Sequence, residues 1–123
     1  MLVPLSFRID AARRRVEAVA NGPLLGEDII SLQREVAGSL GFSPDFDLLF
    51  DFTSVSAVRV SAAQVKVIAD QTPFGAQTRR AYVTKNPLAY GLSRMFDAFL
   101  GARSEGVEIF PDRAAAERWL DRK

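Results

Sequence analysis

Two segments near the start of the chain place a hydrophobic residue at every second position. Leu2–Asp10 alternates in this way, and Arg15–Ala20 does so again after a short connection. A period of two predicts strands with one buried face, and the short connection predicts that the two strands pair as an antiparallel hairpin. Asn21-Gly22-Pro23 is a run of residues that break regular structure, so we expect the second strand to end there.

The hydrophobic period then changes to that of a helix. Glu27 and Asp28 are acidic residues of the kind favoured at a helix N-terminus, and Gly38 or Gly41 is expected to end the helix. Its inward-facing residues are expected to be Ile29, Leu32, Val36 and Leu40. The strongly hydrophobic segment Phe46–Phe52 follows, and its pattern predicts a central strand with both faces covered.

Two local signals agree on the start of the next helix. Ser61 and Gln64 have the spacing of a capping box, and Val60 and Val65 occupy the positions of a hydrophobic staple. The helix is therefore expected to begin after Ser61 and to run to about Ala69.

The rest of the chain repeats the order strand, helix. Arg80–Thr84 predicts a strand, and Asn86-Pro87 predicts an N-cap with proline at the first position of a helix that ends at Gly101. Val107–Phe110 predicts the final strand, and Asp112 caps the final helix. Successive strand–helix units predict a single α/β domain over residues 1–123, of order ββαβαβαβα, with a mixed, mostly parallel sheet.

The predicted topology makes Phe46–Phe52, Arg80–Thr84 and Val107–Phe110 parallel neighbours joined by right-handed helical crossovers. The residues expected to be largely buried are Leu48, Phe50, Val83, Leu92, Phe96, Ile109 and Trp119. These residues lie on three strands and two helices, so their burial tests the orientation of each element.

Composition narrows the class of protein. The chain has 123 residues, of which 48% are hydrophobic and 25% charged, and its formal net charge is +1. A chain of this composition can bury a core without disulfides, and so balanced a charge gives no general attraction to nucleic acid or anionic membranes. No hydrophobic run approaches the ~18 residues of a membrane span, and no signal peptide is visible at the start, so a cytoplasmic location is expected.

The chain contains neither histidine nor cysteine. Their absence excludes Ser–His catalysis, thiol catalysis, histidine-ligated metals and Cys₄ zinc sites, and we predict a non-enzymatic protein with no catalytic residue, no metal and no cofactor. Asp45, Asp47 and Asp51 form the only acidic cluster that a hard metal would favour, and we interpret them as the polar positions of a strand.

Several segments carry a resemblance to a known family. They are Leu49-Phe-Asp-Phe-Thr-Ser-Val, Ala81-Tyr-Val, Ala89-Tyr-Gly-Leu-Ser-Arg-Met-Phe, and Val107-Glu-Ile-Phe with the closing Trp119-Leu120. Over nearly its whole length the chain resembles the STAS domain of sulfate transporters and anti-sigma-factor antagonists. It is most similar to the SpoIIAA-like branch of small bacterial proteins, which is related in fold to CRAL-TRIO lipid-binding domains. The resemblance implies a binding or regulatory module.

The resemblance also implies where a regulatory serine would lie. In the anti-sigma antagonists an aspartate ends the central strand, and an Asp-Ser pair at the following helix carries the serine that a partner kinase phosphorylates. Asp51 matches that aspartate, but the Asp-Ser pair aligns with Arg59-Val60, and the capping box already explains the nearby Ser61. We therefore expect a module without the serine phospho-switch.

The sheet edge beyond the parallel strands is the expected binding region, because ligands of open α/β sheets collect there. Helix N-termini after Ser61, Asn86 and Asp112 are expected to direct N–H groups to this edge, and Arg59 and Lys85 add positive charge, which favours an anionic group. The predicted ligand-binding residues are Thr53, Ser54, Arg59, Ser61, Lys85, Asn86 and Tyr90.

Two other features have an ordinary structural interpretation. The basic run Arg13-Arg14-Arg15 is interpreted as a solvated turn, with a patch for an acidic partner as the alternative. Tyr90 and Arg94 are four residues apart and share a helix face, either as a surface pair or as part of a groove.

The sequence leaves two functions open. One is a binding module for a protein partner or a small anionic ligand, and the other is a carrier or sensor of a small apolar or amphipathic ligand, which the nine phenylalanines favour. A dry cavity lined by Phe50, Phe96 and Phe99 would favour the carrier, whereas tight packing there would favour the module for a protein partner. A homodimer is left open.

Overall fold

The computed structural model describes residues 4–101 and 106–122. Its elements follow the predicted order ββαβαβαβα. The strands are β1 (Leu5–Asp10), β2 (Arg15–Leu25), β3 (Asp47–Arg59), β4 (Arg79–Val83) and β5 (Gly106–Phe110). The helices are α1 (Gly26–Ala37), α2 (Ala62–Asp70), α3 (Pro87–Leu100) and α4 (Arg113–Leu120). Leu2 and Val3, which were predicted to begin the first strand, lie outside the described residues.

The strands of the described residues form one sheet in the order β1-β2-β3-β4-β5. β1 and β2 pair antiparallel, which confirms the predicted hairpin. The pairs β2–β3, β3–β4 and β4–β5 are parallel, which confirms the predicted mixed, mostly parallel sheet and its three parallel neighbours. At the hairpin turn Arg14 has a φ of 54°, and its N–H donates to the carbonyl oxygen of Ala11 at 3.3 Å.

Helices cover both faces of the sheet unequally. On one face α1, α2 and α3 pack over a large hydrophobic cluster that includes Val16, Leu32, Phe50, Ile68 and Phe96. On the opposite face α4 packs over a smaller cluster formed by Leu49, Ala81, Val83, Ala116 and Leu120. The sheet is thus the middle layer of three.

β3 is buried on both sides because its side chains alternate between these two layers. Phe50 is 4% exposed and packs in the large cluster, whereas its neighbour Leu49 is 0% exposed and packs against α4. The rings of Phe50 and Phe52 stack with centroids 4.4 Å apart, and Tyr82 of β4 meets Phe52 edge-on at 5.6 Å. The predicted two-sided central strand is confirmed.

The predicted core is confirmed at four positions, because Leu48, Phe50, Val83 and Phe96 are all buried. The other three are less completely buried than predicted, and they are Leu92, Ile109 and Trp119. Trp119 lies near the end of α4, where its ring packs against Phe110 and the Arg79 guanidinium lies 5.3 Å from the ring centre.

Leu40 corrects one boundary of the prediction. It was expected to face inward, but its side chain is 99% exposed. The reason is that α1 ends at Ala37, and the N–H of the following Gly38 donates to Arg34 O at 3.2 Å. Leu40 therefore lies in the loop beyond the helix, where helical periodicity no longer applies.

β2 and β3 are longer than predicted. Asn21-Gly22-Pro23 was expected to end β2, but the strand passes through it to Leu25. Gly22 has a φ of 70°, which glycine adopts without strain. Pro23 lies beyond the last printed pair of the hairpin, Leu5 with Ala20, so among the described residues its only neighbouring strand is β3.

β3 likewise continues past the predicted end at Phe52 as far as Arg59. Residues 21–25 of β2 and 54–59 of β3 pair as a two-stranded parallel extension, which we call the β2–β3 ribbon. β4 does not extend along this ribbon, because the last residue of β3 that pairs with β4 is Asp51. The β-branched residues Val55, Val58 and Val60 were a signal for this extension that the sequence prediction did not use.

The predicted helix caps are confirmed. Ser61 Oγ accepts the N–H of Gln64 at 3.1 Å, and Gln64 Oε1 accepts the N–H of Ser61 at 2.9 Å, which completes the capping box. Asn86 Oδ1 accepts two N–H groups in the first turn of α3, where Pro87 is the first residue. Asp112 caps α4 in the same way. No helix among the described residues is long and hydrophobic enough to span a membrane.

Replacing Ser61 by alanine should lower the free energy of unfolding by about 0.5–2 kcal/mol, because one N–H of α2 loses its acceptor. Urea denaturation followed by circular dichroism measures the change. Ser54→Ala is the matched control, since Ser54 is exposed on β3 and caps no helix. Equal stability of the Ser61 variant and the parent would show that the capping box contributes nothing.

Replacing Phe50 by alanine should cost roughly 3–5 kcal/mol, since the change leaves a cavity beneath three helices. Leu40→Ala is the control, because the exposed Leu40 side chain has little packing to lose. Thermal unfolding compares the two variants. The same melting temperature for Phe50→Ala and the parent would contradict the packing described for β3.

Candidate functional site

A groove of about 400 Å³ lies at the carboxyl edge of the sheet, beside the point where β3 outruns β4 and β5. We call it the carboxyl-edge groove. Its lining residues are Phe52, Thr53, Val55, Thr84, Lys85, Asn86, Pro111, Asp112 and Arg113. They come from three stretches of chain, which belong to β3, to the turn after β4 and to the turn after β5.

The groove forms where the chain leaves two adjacent strands in opposite directions. After Val83 the chain enters α3 on the face of the large cluster, and after Phe110 it enters α4 on the opposite face. Opposite departures from neighbouring strands open a crevice at the sheet edge, which is where ligands bind in open α/β sheets. The topology alone therefore makes this edge concave.

The turn after β4 is held by hydrogen bonds on both sides of Lys85. The N–H of Thr84 donates to Phe110 O at 2.9 Å, which ties the ends of β4 and β5 together. The N–H of Asn86 donates to Thr84 Oγ1 at 3.0 Å. Lys85 lies between these fixed residues with an exposed side chain, and it forms no ion pair within the part of the chain that the structure describes.

Arg113, on the opposite wall, is engaged by carboxylates. Its guanidinium contacts Glu17 at 3.0 Å, Glu117 at 3.1 Å and Asp51 at 3.7 Å. Glu17 is buried on β2 and also accepts a hydrogen bond from Arg8 of β1 at 3.0 Å. Three carboxylates around one guanidinium leave Arg113 no excess positive charge to offer the groove.

The carboxylates near the groove are themselves in use. Asp51 Oδ1 accepts both the N–H and the hydroxyl of Thr53, at 2.9 and 2.6 Å. Asp112 Oδ1 accepts the N–H of Ala115 at 2.8 Å as the cap of α4. Asp112 keeps its negative charge while it caps α4, and Lys85 is the lining cation that no described carboxylate engages.

The structure brings together three of the predicted ligand-binding residues. Thr53, Lys85 and Asn86 line the carboxyl-edge groove. The remaining four do not line it, and they are Ser54, Arg59, Ser61 and Tyr90. The β2–β3 ribbon explains why two of these four lie away from the groove, because Arg59 is at the far end of the ribbon and Ser61 follows it.

The helix N-termini were expected to offer unpaired N–H groups at this edge, and this holds for one of the three. α2 begins beyond the ribbon, away from the groove. α3 begins at the groove, but Asn86 accepts its first N–H groups and Pro87 has none. In α4 the N–H groups of Arg113 and Ala114 precede the one that Asp112 accepts and have no acceptor within the helix.

Six lining residues were not among the predicted site residues, and two of them, Phe52 and Val55, belong to β3. Thr84 and Pro111 follow β4 and β5 directly, and Asp112 and Arg113 begin α4. A signal for them existed, since the predicted cap at Asp112 follows a parallel strand and must lie at the same edge as Asn86. No pattern in the sequence indicated that Arg113 would pair with Glu17, which is 96 positions away in the chain.

The basic run at the hairpin turn is only partly solvated. Arg13 and Arg14 are exposed and pair with Asp10 and Asp45, as a solvated turn predicts. Arg15 is buried, which corrects the prediction, and it donates to Asp121 Oδ1 at 2.7 Å.

Two other polar features also have structural partners. The hydrogen bond from Arg15 holds the pKa of Asp121 below its usual value. The Arg94 guanidinium lies 5.4 Å from the ring centre of Tyr90, and both side chains are exposed, as in the predicted surface pair. No group of three or more metal-ligating side chains occurs within residues 4–101 and 106–122.

Two hydrophobic pockets lie along the large cluster. One of about 60 Å³ lies beside α2, α3 and the ribbon and is open to solvent, and a second of about 30 Å³ is more enclosed and lies beside α1 and Arg80. Both are lined mainly by hydrophobic side chains, and Phe50 and Phe96 line both. Phe99, which was expected to line such a cavity, is 36% exposed and lines neither.

A solved structure with the same arrangement of elements is an uncharacterized protein of the DUF3478 family from Shewanella loihica PV-4, described as having a SpoIIAA-like fold. The two structures superpose with a TM-score of 0.65 over 98% of this chain and 96% of that chain, at 20% sequence identity.

The chain has a SpoIIAA-like fold. The resemblance seen in the sequence is thereby confirmed at the level of the fold. Comparisons of the sequence with known protein families and with curated proteins find no match.

Replacing Glu17 by glutamine should lower the free energy of unfolding by about 1–3 kcal/mol, because a buried carboxylate that accepts from Arg8 and Arg113 loses its charge. Glu117→Gln is the control, since that side chain is 39% exposed and an exposed pair contributes about 0–1 kcal/mol. Guanidinium denaturation measures both variants. Equal losses would show that the burial of Glu17 adds nothing to its ion pairs.

Proposed function

We propose that this protein is a non-enzymatic binding or regulatory module whose carboxyl-edge groove receives an anionic group. The observation that carries the proposal is the position of Lys85. Its exposed side chain lines a groove of about 400 Å³, and it forms no ion pair among the described residues. The turn that carries it is held by hydrogen bonds of the neighbouring Thr84 and Asn86. A cation without a partner at a groove is suited to bind an anion.

The size of the groove favours a small group. About 400 Å³ lies near the lower end of the range for small-molecule sites. The walls combine the hydrophobic Phe52, Val55 and Pro111 with the hydroxyls of Thr53 and Thr84. A small organic acid, or one acidic side chain of a protein partner, matches this mixture of surfaces.

The charges of the groove favour a carboxylate over a more highly charged group. Lys85 supplies one positive charge, Arg113 is already engaged by three carboxylates, and Asp112 is close by. A dianion such as a phosphate would meet one free cation and the repulsion of Asp112. The N–H groups at the start of α4 add a partial positive charge that one carboxylate can use.

The module is proposed to work without a phosphorylated serine at the start of α2. Ser61 Oγ is an acceptor in the capping box, and the family's Asp-Ser pair aligns with Arg59-Val60. Ser61 also lies beyond the ribbon, outside the groove. The expected cytoplasmic location stays a prediction.

The non-enzymatic part of the proposal is supported by the chemistry of the available groups. The chain has no histidine and no cysteine. Asp51 and Asp112, the carboxylates nearest the groove, already accept hydrogen bonds. Burial raises the pKa of Tyr82 above its usual value, and Tyr82 does not line the groove. The residues that line the groove include no imidazole or thiol, the side chains that most often act as bases near neutral pH.

The two hydrophobic pockets favour a second candidate function, that of a carrier for a small apolar ligand. Their lining is almost wholly hydrophobic and includes Phe50 and Phe96. Their volumes of about 60 and 30 Å³ are smaller than the roughly 150 Å³ of an engineered cavity that holds benzene. A ligand as large as benzene therefore exceeds the volume that either pocket offers in this structure. Native mass spectrometry of the purified protein would reveal a retained ligand and the subunit count.

Titration with sodium acetate should shift the amide resonances of Thr53, Lys85 and Asn86, with a dissociation constant on the order of millimolar. Lys85→Ala should weaken this binding by up to about fivefold, the contribution of one exposed charge. The measurement is a series of two-dimensional nitrogen–proton NMR spectra, repeated with inorganic phosphate, which should bind no more tightly than acetate.

Lys66→Ala is the matched control, because Lys66 is an exposed lysine of α2 that pairs with Asp70 away from the groove. It should leave the acetate affinity unchanged. Identical acetate binding by the Lys85 variant and the parent, or shifts spread evenly over all exposed lysines and arginines, would contradict the proposed function.

A further inference from the structure

Among the described residues, the β2–β3 ribbon leaves one edge of β3 without a neighbouring strand. The pairing of β3 with β4 ends at Asp51, whereas the pairing with β2 continues to Arg59. Residues 54–59 therefore have only β2 as a neighbour within the described chain, over a length of about 20 Å. Within the described chain, none of these residues makes a backbone hydrogen bond outside the ladder with β2.

Such an edge presents unpaired N–H and C=O groups to a further strand. It begins directly above the carboxyl-edge groove, since Thr53 and Val55 line the groove. Ser54, Ser56 and Ala57 have small side chains, and the two serines are exposed. A strand placed there would occupy the line along which β4 would have continued past Val83.

The ends of this free edge are both positively charged. Lys85 lies at the groove end and Arg59 at the far end, and both side chains are exposed. Neither forms an ion pair with any residue that the structure describes. The outer edge of β1 differs, because Arg8 and Asp10 there are engaged with Glu17 and Arg13.

We propose that a short, extended acidic segment of a partner protein binds along residues 54–59 of β3 as an added strand, with acidic side chains at Lys85 and Arg59. The inference rests on the proposed function, because one acidic side chain enters the carboxyl-edge groove. Backbone hydrogen bonds would supply affinity, and the two cations would select an acidic sequence.

The shape of the ribbon favours a peptide over the edge of a second copy. β3 contains one more residue than β2 between Asp51 and Ser54, and again between Val55 and Ala57. Such bulges bend and twist a strand, and they discourage the pairing of two long, flat edges. A short flexible segment can follow the bend, whereas a strand fixed in another sheet cannot do so over its full length.

The test is a selection of randomised eight-residue peptides displayed on phage. The parent protein is the target, and the double variant Arg59→Glu/Lys85→Glu is the counter-target. The selected peptides should be rich in β-branched residues and carry aspartate or glutamate near both ends. A synthetic peptide of the selected sequence should shift the amide resonances of residues 53–59 and 84–86.

Two protein variants and two modified forms of the peptide test how strongly the affinity depends on charge and on backbone hydrogen bonds. The double charge reversal should weaken binding at least about tenfold. Arg118→Glu is the control, because Arg118 is exposed on α4 and outside the site, and it should change binding less than about twofold. Two further peptides carry methyl groups on alternate backbone nitrogens, one on the odd-numbered and one on the even-numbered positions. The peptide whose methyl groups face β3 should lose at least about tenfold in affinity for the parent protein.

Each contrary outcome overturns a distinct claim. If both methylated peptides bind as tightly as the unmodified peptide, strand addition is excluded. Acetate-induced shifts at Lys85 would in that case still support the proposed function. Selected peptides without acidic residues, or no enrichment over the counter-target, would overturn the acidic partner. Concentration-dependent shifts at residues 54–59 without peptide would identify a second copy as the occupant. The absence of shifts with both acetate and peptide would overturn both proposals.

Discussion

The alternation of side chains along β3 is the constraint on which the rest of the structure depends. Leu49 and Phe50 are adjacent, yet one packs against α4 and the other beneath three helices. A slip of one residue in the pairing with β2 or β4 would exchange these two faces, so burial on both sides holds the register firmly. That register also decides where β4 ends relative to β3, and hence where the groove and the free edge lie.

Charged residues are a second determinant of how the layers meet. The face opposite the three helices is covered by the eight-residue α4, and ion pairs complete the contact there. Arg113 reaches Glu17 on β2, which in turn holds Arg8 on the edge strand. The chain of contacts fixes the start of α4 relative to the sheet, and it removes Arg113 from the charges that a ligand can use. Because Arg113 is paired in this way, Lys85 is the lining cation that no described carboxylate engages.

Local chemistry could be predicted from the sequence, and long-range pairing could not. The caps at Ser61, Asn86 and Asp112 depend on residues three positions apart or fewer, so spacing alone predicted them. The extension of β2 through Pro23 depends on its pairing with residues 54–59 of β3, more than thirty positions away, which no local pattern records. The candidate site shows the same difference between local and long-range features. Lys85 and Asn86, in the turn after β4, line the groove as predicted, whereas the ribbon, which was not predicted, places Arg59 outside it.

The ribbon separates two features that the STAS resemblance would place together. In the anti-sigma antagonists the strand-end aspartate and the regulatory serine flank a short loop, so a phosphate there acts close to the strand end. Here Asp51 and Ser61 are separated by a paired strand that runs to Arg59. Because the intervening backbone is hydrogen-bonded to β2, a modification of Ser61 would act on the cap of α2 and not on the groove. The binding proposed for the groove is therefore independent of the state of Ser61.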